Sequence, residues 1–317
     1  MPEAEAAVRN LLIVAEQVAV LFVLMGVGAV LRKTKLMDGR GIEGVVNLLI
    51  LVVTPCLIVD CFQRPFDPSM LASLGLAFLI AVLGHAVAIA LAMRVVRHRA
   101  ADVRKPLLLA AVFSNAGFMG IPLEQAILGE TGVFFGIVYV VVFNLFMWSW
   151  GVWVMADGGT ASARWKMAVN PGTVGIALGL PLFLFSVRLP PFLGASVHHV
   201  ANLNTPLAMI VIGHSLAGAR LGRVARLPAA HVAAFFRLVA YPLLMIAALY
   251  PFRNLLDRRM MLAVVIAASS PVAAMVSMFA VKFGRDVDTS VAVVCGSTVL
   301  SVLTLPPVIA LAISVLR

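Results

Sequence analysis

The stretch from Phe113 to Leu123, FSNAGFMGIPL, lies in the middle of an apolar run over 106–127. A helix that crosses a bilayer takes about 20 apolar residues, so the run is long enough to span one. Gly117, Gly120 and Pro122 place three helix-weakening residues within six positions, beside the polar Ser114 and Asn115. Glycine costs about 1 kcal/mol relative to alanine inside a helix, while proline removes a backbone donor and collides with the preceding turn. The stretch therefore predicts a helix interrupted at membrane depth. A second stretch, AASSPVAAMVSM over 267–278, puts Ser269, Ser270 and Pro271 at a similar depth in the run 260–282. Pro271 frees a carbonyl in the turn before it, and inside a membrane the adjacent serines are the available partners.

Outward from these two stretches the chain is apolar throughout. Of 317 residues, 62% are hydrophobic and 12% charged, against roughly half and a quarter in soluble domains. That excludes a soluble fold. Ten apolar runs are long enough to span, at about 11–31, 42–62, 70–93, 106–127, 132–155, 170–188, 195–218, 229–250, 260–282 and 288–316. The net charge of +10 would suggest nucleic acid in a soluble protein, but here the basic residues fall between the runs and instead report orientation. With the first residue outside, the inner loops collect sixteen of the 24 Lys and Arg, the outer side seven, and Arg237 alone stays within a span. Both termini are expected on the non-cytoplasmic side of the cell's inner (plasma) membrane. Residues 1–10 do not read as a secretory leader, so the first run is expected to be retained. Cys56, Cys61 and Cys295 lie inside apolar runs and imply neither a disulfide framework nor a metal site.

The interrupted spans have companions. NLLILVVTPCLIV in the second run carries Thr54 and Pro55, and NLNTPLAMIVIG in the seventh carries Thr205 and Pro206. The matching pairs, second with seventh and fourth with ninth, are five spans apart. Five is odd, so the second half is expected to sit inverted relative to the first. Interrupted helices in corresponding places of two inverted halves point to a carrier's binding site. The expected fold is all-α, with ten transmembrane helices in two inverted five-helix repeats, 1–155 and 170–317, joined by a short linker over 156–169. The Gly175 and Gly179 pair reads as helix packing rather than a site.

FSNAGFMGIPL, SSPVAAM and the TPCLIV and TPLAMI pairs resemble the auxin efflux carrier family, which includes plant PIN-formed carriers and prokaryotic malonate or malate permeases. The resemblance covers the whole chain. Plant members carry a long cytosolic loop where this chain has only 156–169, so the compact prokaryotic branch is the better match. The resemblance implies a fold like that of the bile-acid/sodium symporters and sodium/proton antiporters. Broken helices 4 and 9 would cross in a transport domain of helices 3–5 and 8–10, against a scaffold of helices 1, 2, 6 and 7, in a homodimer. It matches the family's crossover asparagine to Asn115 and its crossover prolines to Pro122 and Pro271, and implies scaffold-side lining by Thr54, Pro55, Asn204, Thr205 and Met209.

The outgoing half of each broken helix starts with unsatisfied N–H groups and a partial positive charge, which favours an anion. Asn115 adds an amide, Ser114, Ser269 and Ser270 add hydroxyls, and Gly117 in the interruption is counted with them as a substrate-binding candidate. Phe113, Phe118 and Met119 are candidate neighbours of an apolar substrate body. Coupling or proton-carrying candidates are Glu16, Asp60, Glu124, His85, His214 and Arg237, each with a plainer reading: interfacial water for Asp60, an interhelical hydrogen bond for the histidines, snorkelling to the inner face for Arg237. No cofactor is expected beyond Na⁺ or H⁺ as coupling ions, and the partners expected are a small organic anion and membrane lipid, with no nucleic acid. A cation/proton antiporter or a sodium-coupled symporter of the same fold is the competing reading, the antiporter disfavoured because the fourth-span break carries Asn115 and no carboxylate. A membrane enzyme would need DxxxD, HExxH or GxSxG, none of which occurs in the chain.

Overall fold

The computed structural model describes residues 2–64, 68–98, 100–158, 171–218 and 227–316, and those residues are helical with no strand. The first half comprises α1 Pro2–Lys33, α2 Gly39–Cys61, α3 Pro68–Val95, α4 Ala101–Val112, α5 Ile121–Leu128 and α6 Glu130–Met155. The second comprises α7 Pro171–Leu184, α8 Pro191–Ala201, α9 Asn204–Leu216, α10 Pro228–Phe252, α11 Arg258–Ser269, α12 Met275–Lys282 and α13 Val287–Val315. Six helices, α1, α2, α3, α6, α10 and α13, are continuous, apolar and long enough to cross a membrane.

Three of the remaining four apolar runs show where the sequence weakens a helix, and the sixth holds the shorter α7. The fourth is split into α4 and α5, and the ninth into α11 and α12, as the glycines and prolines require. The seventh is also divided: α8 and α9 meet at Asn202 and Leu203, ahead of Thr205 and Pro206, where one continuous helix over 195–218 was expected. Pro206 has no N–H to give the Asn202 carbonyl four residues before it, and the joint falls there. In the second run the helix continues past Thr54 and Pro55 but widens to a π-turn over Leu49–Val53, and the Thr54 hydroxyl donates to the Leu49 carbonyl at 2.9 Å. A proline needs no donor at its own position, so a widened turn accommodates it without a break.

Close helix contacts are made where side chains are absent. A Cβ on Gly28 of α1 would run into the Ile210 carbonyl of α9, and one on Gly213 of α9 would run into the Met25 carbonyl of α1. This reciprocal contact brings two backbones together as small residues do between membrane helices. Gly175 and Gly179 pack onto Pro55, Ile58 and Val59 of α2 and onto Phe62 just after it, which is the packing role expected of them.

Buried apolar side chains form two clusters. The larger joins α3, α4, α6, α10, α11 and α12. The smaller is built from Val14, Val18, Leu21 and Met25 of α1, Leu49 and Val53 of α2 and Ala208, Met209 and Ile212 of α9. It also takes in Met119 and Leu123 beside the first break, Ile266 of α11, and Leu305 and Ile309 of α13. The interrupted helices therefore lie at the border of the two clusters. Leu, Val and Phe side chains are exposed along α1, α2, α3, α7 and α13, as a lipid-facing surface requires.

Loops that the charge count puts on one side also meet in space. Arg285 donates to Asp102 and Asp157 and to the Met155 carbonyl, and Lys105 pairs with Asp157. Hydrogen bonds from Lys105 and Arg285 hold the exposed Asp157 carboxyl below the usual carboxylate range. Elsewhere Arg64 reaches the Glu130 carbonyl, Arg188 the Gln63 carbonyl, and Arg258 the carbonyls of Ile313 and Leu316.

Candidate functional site

The two breaks meet. Helix α4 ends at Val112, and Phe113 turns extended, with φ −100° and ψ 113°. Helix α11 ends at Ser269, and Ser270 is likewise extended, with φ −60° and ψ 148°. Extended backbone before Pro271 is what the proline ring imposes on its predecessor. Between the helix ends, Ser114 and Val272 form an antiparallel bridge. The Asn115 N–H donates to the Pro271 carbonyl at 2.6 Å, and the Ala273 N–H to the Phe113 carbonyl at 2.9 Å. Each break thus supplies backbone partners for the other, which is how non-helical backbone survives away from water.

After the bridge the chain re-enters helix. Asn115 has φ −77° and ψ 51°, and its carbonyl accepts from Met119 and Gly120, opening the π-turn Ala116–Gly120 that leads into α5. The Asn115 side chain does not cap that turn. Gly120 lies against α11, where a Cβ would stand 3.1 Å from the Ser270 hydroxyl and 3.4 Å from the Ala267 Cα. At Gly117 a Cβ would meet nothing within 4 Å, so this side of the turn faces open space.

The four helix ends at the crossing differ in exposure. Val112, Ser269 and Ser270, at the two C-terminal ends, are buried. Gly117 and Phe118 at one N-terminal end, and Ala274 and Met275 at the other, are half-buried. Arg237 closes the C-terminal pair. Its side chain is fully buried, donating from Nη1 to the Val112 carbonyl at 2.7 Å and from Nη2 to the Ala268 carbonyl, and its guanidinium lies over the Tyr241 ring at 4.7 Å. It meets no carboxylate among the described residues. Snorkelling is replaced by capping: backbone carbonyls at two helix ends hold the guanidinium in place.

The other expected site residues divide. Ser269 and Ser270 bond back to the Val265 and Ile266 carbonyls at 2.6 and 3.2 Å, and the buried Ser114 hydroxyl has no partner among the described residues. Pro122 is buried in the first turn of α5. Met209 shares the smaller cluster with Met119 and Leu123, so it is packed on the crossing's apolar side. Pro55 faces α7, Thr54 bonds within α2, Asn204 is buried with its amide nitrogen unpartnered, and Thr205 is half-buried in the first turn of α9.

Among the charged candidates, Glu124 is fully buried, with neither carboxylate oxygen partnered among the described residues, seated in the notch left by Gly136 of α6. His85 is buried within a ring cluster, stacked on Phe146 at 5.4 Å and beside Tyr139 at 4.9 Å, with Nδ1 2.8 Å from the Ala81 carbonyl of its own helix. His214 Nε2 lies 3.2 Å from the Met37 carbonyl, joining α9 to the loop after α1. Asp60 pairs with His198 at 2.9 Å, and Glu16 is exposed. Ser297 of α13 was not anticipated: its hydroxyl accepts from the Val272 N–H at 3.1 Å and so completes the second break. A row of Ser297, Thr298 and Ser301 inside an apolar helix was the available signal.

Interrupted apolar helices paired at their breaks, within a surface suited to lipid, define a multi-pass membrane transporter. The match to known proteins is specific. The chain belongs to the family described as membrane transport protein, the auxin efflux carrier family, whose model matches residues 13–309. A relative from Methanothermobacter thermautotrophicus, described as an uncharacterized transporter, is 28% identical over 307 residues, covering 92% of this chain and 96% of its own length.

Proposed function

We propose that this protein is a secondary carrier of small organic anions, carboxylates such as malonate, malate or auxin-like acids, bound where the two breaks cross. The observation that carries the reading is the asymmetry of the four helix ends. The C-terminal ends, each equivalent to about half a negative charge, are buried under Arg237, while the partly exposed ends are N-termini with the opposite sign. The first-turn N–H groups of Ala116, Gly117 and Phe118 have no intrahelical acceptors, and the Asn115 amide stands beside them. A carboxylate fits that field without a buried cation of its own, and the open side at Gly117 leaves room for its approach.

In this reading the chain forms ten spans in two inverted repeats of five, with both termini outside the cytoplasmic membrane. The first, second, sixth and seventh spans are a scaffold anchored by the Gly28 and Gly213 contact. The remainder is a transport domain that carries the crossing past it in an elevator-type motion. The smaller apolar cluster, which sets Met119 and Leu123 against Met209 and Ile212, supports such a sliding surface because those side chains carry neither charge nor directional bonds. The absence of a carboxylate at either break weighs against the cation/proton antiporter.

The test is substrate flux in proteoliposomes across malonate, malate, succinate, lactate and indole-3-acetate, with and without Na⁺ and pH gradients, beside Asn115→Ala. A saturable flux lost in the variant supports the carrier. Cation flux driven by Na⁺ or pH, with no anion transported, overturns it.

A further inference from the structure

Half-helices α4 and α11 point their C-terminal ends at each other's break. Each brings last-turn carbonyls without intrahelical donors, and together they amount to about one negative charge in a place sealed from water. Such a pair of ends requires a cation. Arg237 reaches it from α10, with one nitrogen on the last residue of α4 and another on the residue before the last of α11. Tyr139 and Tyr241 flank the guanidinium, with the Tyr139 hydroxyl turned toward both, and neither hydroxyl nor Arg237 Nε makes a hydrogen bond of good geometry among the described residues.

We propose that Arg237 is the resident cation of the crossing: its guanidinium fills a carbonyl-lined seat that, without it, binds a small monovalent cation from solution. The chemistry of the seat is that of a cation site. Two carbonyl oxygens converge, two tyrosine hydroxyls stand by with free lone pairs, and the two helix dipoles direct negative charge inward. Arginine suits it because a planar fork of donors can hold two carbonyls at once, whereas a lysine offers a point charge. Arg237 is thereby a positioning residue: it acts through the two helix ends and holds the breaks in register. This rests on the crossing being the centre of the carrier, but its test reads unfolding rather than flux, so failure of the anion reading leaves it intact.

The test is chemical rescue. Wild-type protein and Arg237→Ala are purified in detergent, and their unfolding midpoints are measured in choline, sodium and guanidinium chloride at equal ionic strength. The wild type is expected to show no gain in millimolar guanidinium over choline. Arg237→Ala is expected to unfold at lower temperature in choline and to regain at least about 3 °C with millimolar guanidinium, as a ligand that binds only the folded state does. Equal midpoints for this variant in all three salts overturn the proposal. If Arg237→Ala yields no folded protein, Arg237→Lys and Arg237→Gln decide. Lysine keeps the charge, glutamine keeps donors without it, and the proposal requires the lysine variant to be the more stable. A glutamine variant as stable as the lysine one overturns it.

Discussion

At the first break the Ser114 hydroxyl has no partner among the described residues, and the Asn115 amide does not cap the turn that follows it. At the second the hydroxyls of Ser269 and Ser270 are bonded to carbonyls of the helix they end, and Ser297 takes the one further donor. The two breaks pair with each other through two backbone hydrogen bonds, so their skeletons are alike. Their side chains are not. The first break carries two glycines and keeps its polar atoms available, while the second carries proline and serines and satisfies itself. A site made by two similar breaks therefore divides its work: the second gives the crossing its shape, and the first gives it recognition. The predictions below set one break against the other, beginning with the residue on which most of the recognition rests.

Asn115→Ala is expected to lower organic-anion transport by about 10- to 100-fold, the loss of one or two hydrogen bonds to a charged group. Its unfolding midpoint should stay near wild type, because the side chain caps no turn. Flux measured beside thermal unfolding checks both halves. A large fall in stability instead would move Asn115 into the structural half of the comparison.

Ser297→Ala is expected to act in the opposite way, destabilising the protein by about 1–3 kcal/mol because the buried Val272 N–H is left unsatisfied. Chemical unfolding reads this directly. Flux per folded molecule should change little at saturating substrate, since Ser297 supports the second break from outside it.

Pro271→Ala tests whether the second break depends on its proline. A donor at position 271 can reach the Ala267 carbonyl and extend α11 by one residue, pulling the Pro271 carbonyl away from the Asn115 N–H. A several-fold loss of transport is expected, with stability unchanged or higher. Wild-type kinetics would mean that the bridge to Ser114 holds the break without the ring.

Much of this arrangement was legible in the sequence, and the physical reason differs from residue to residue. Both interruptions stood out because glycine, proline, asparagine and serine are conspicuous inside apolar runs. The partner of Arg237 was not legible, since backbone carbonyls have no signature in a sequence and the residue's composition suggests a carboxylate or the interface. Nor was the seat of Glu124: Gly132 and Gly136 announce a close approach on α6, but not which side chain fills the space. The joint at Asn202 and Leu203 had its signal in Pro206, whose ring disrupts the turn four residues earlier rather than at its own position. The role of Ser297 depends on a donor 25 residues away in sequence, which only the folded chain brings to it.

The smallest effect separates two faces of one turn. Gly117 and Gly120 both belong to the π-turn of the first break, yet Gly117 looks into open space while Gly120 is set against Ser270 and Ala267 of the second. Alanine at Gly117 meets no atom, so it should stabilise the turn by about 0.4–1 kcal/mol through lower entropy of the unfolded chain. Alanine at Gly120 must displace the Ser270 hydroxyl by a few tenths of an ångström, and should cancel that gain. If the open side receives substrate, Gly117→Ala raises KM about two- to fivefold in a protein that is more stable than wild type, as expected for one methyl group narrowing a pocket. Gly120→Ala should leave KM unchanged. The reverse pattern, with KM altered at Gly120 alone, would place the substrate between the two breaks rather than on the open face of the first.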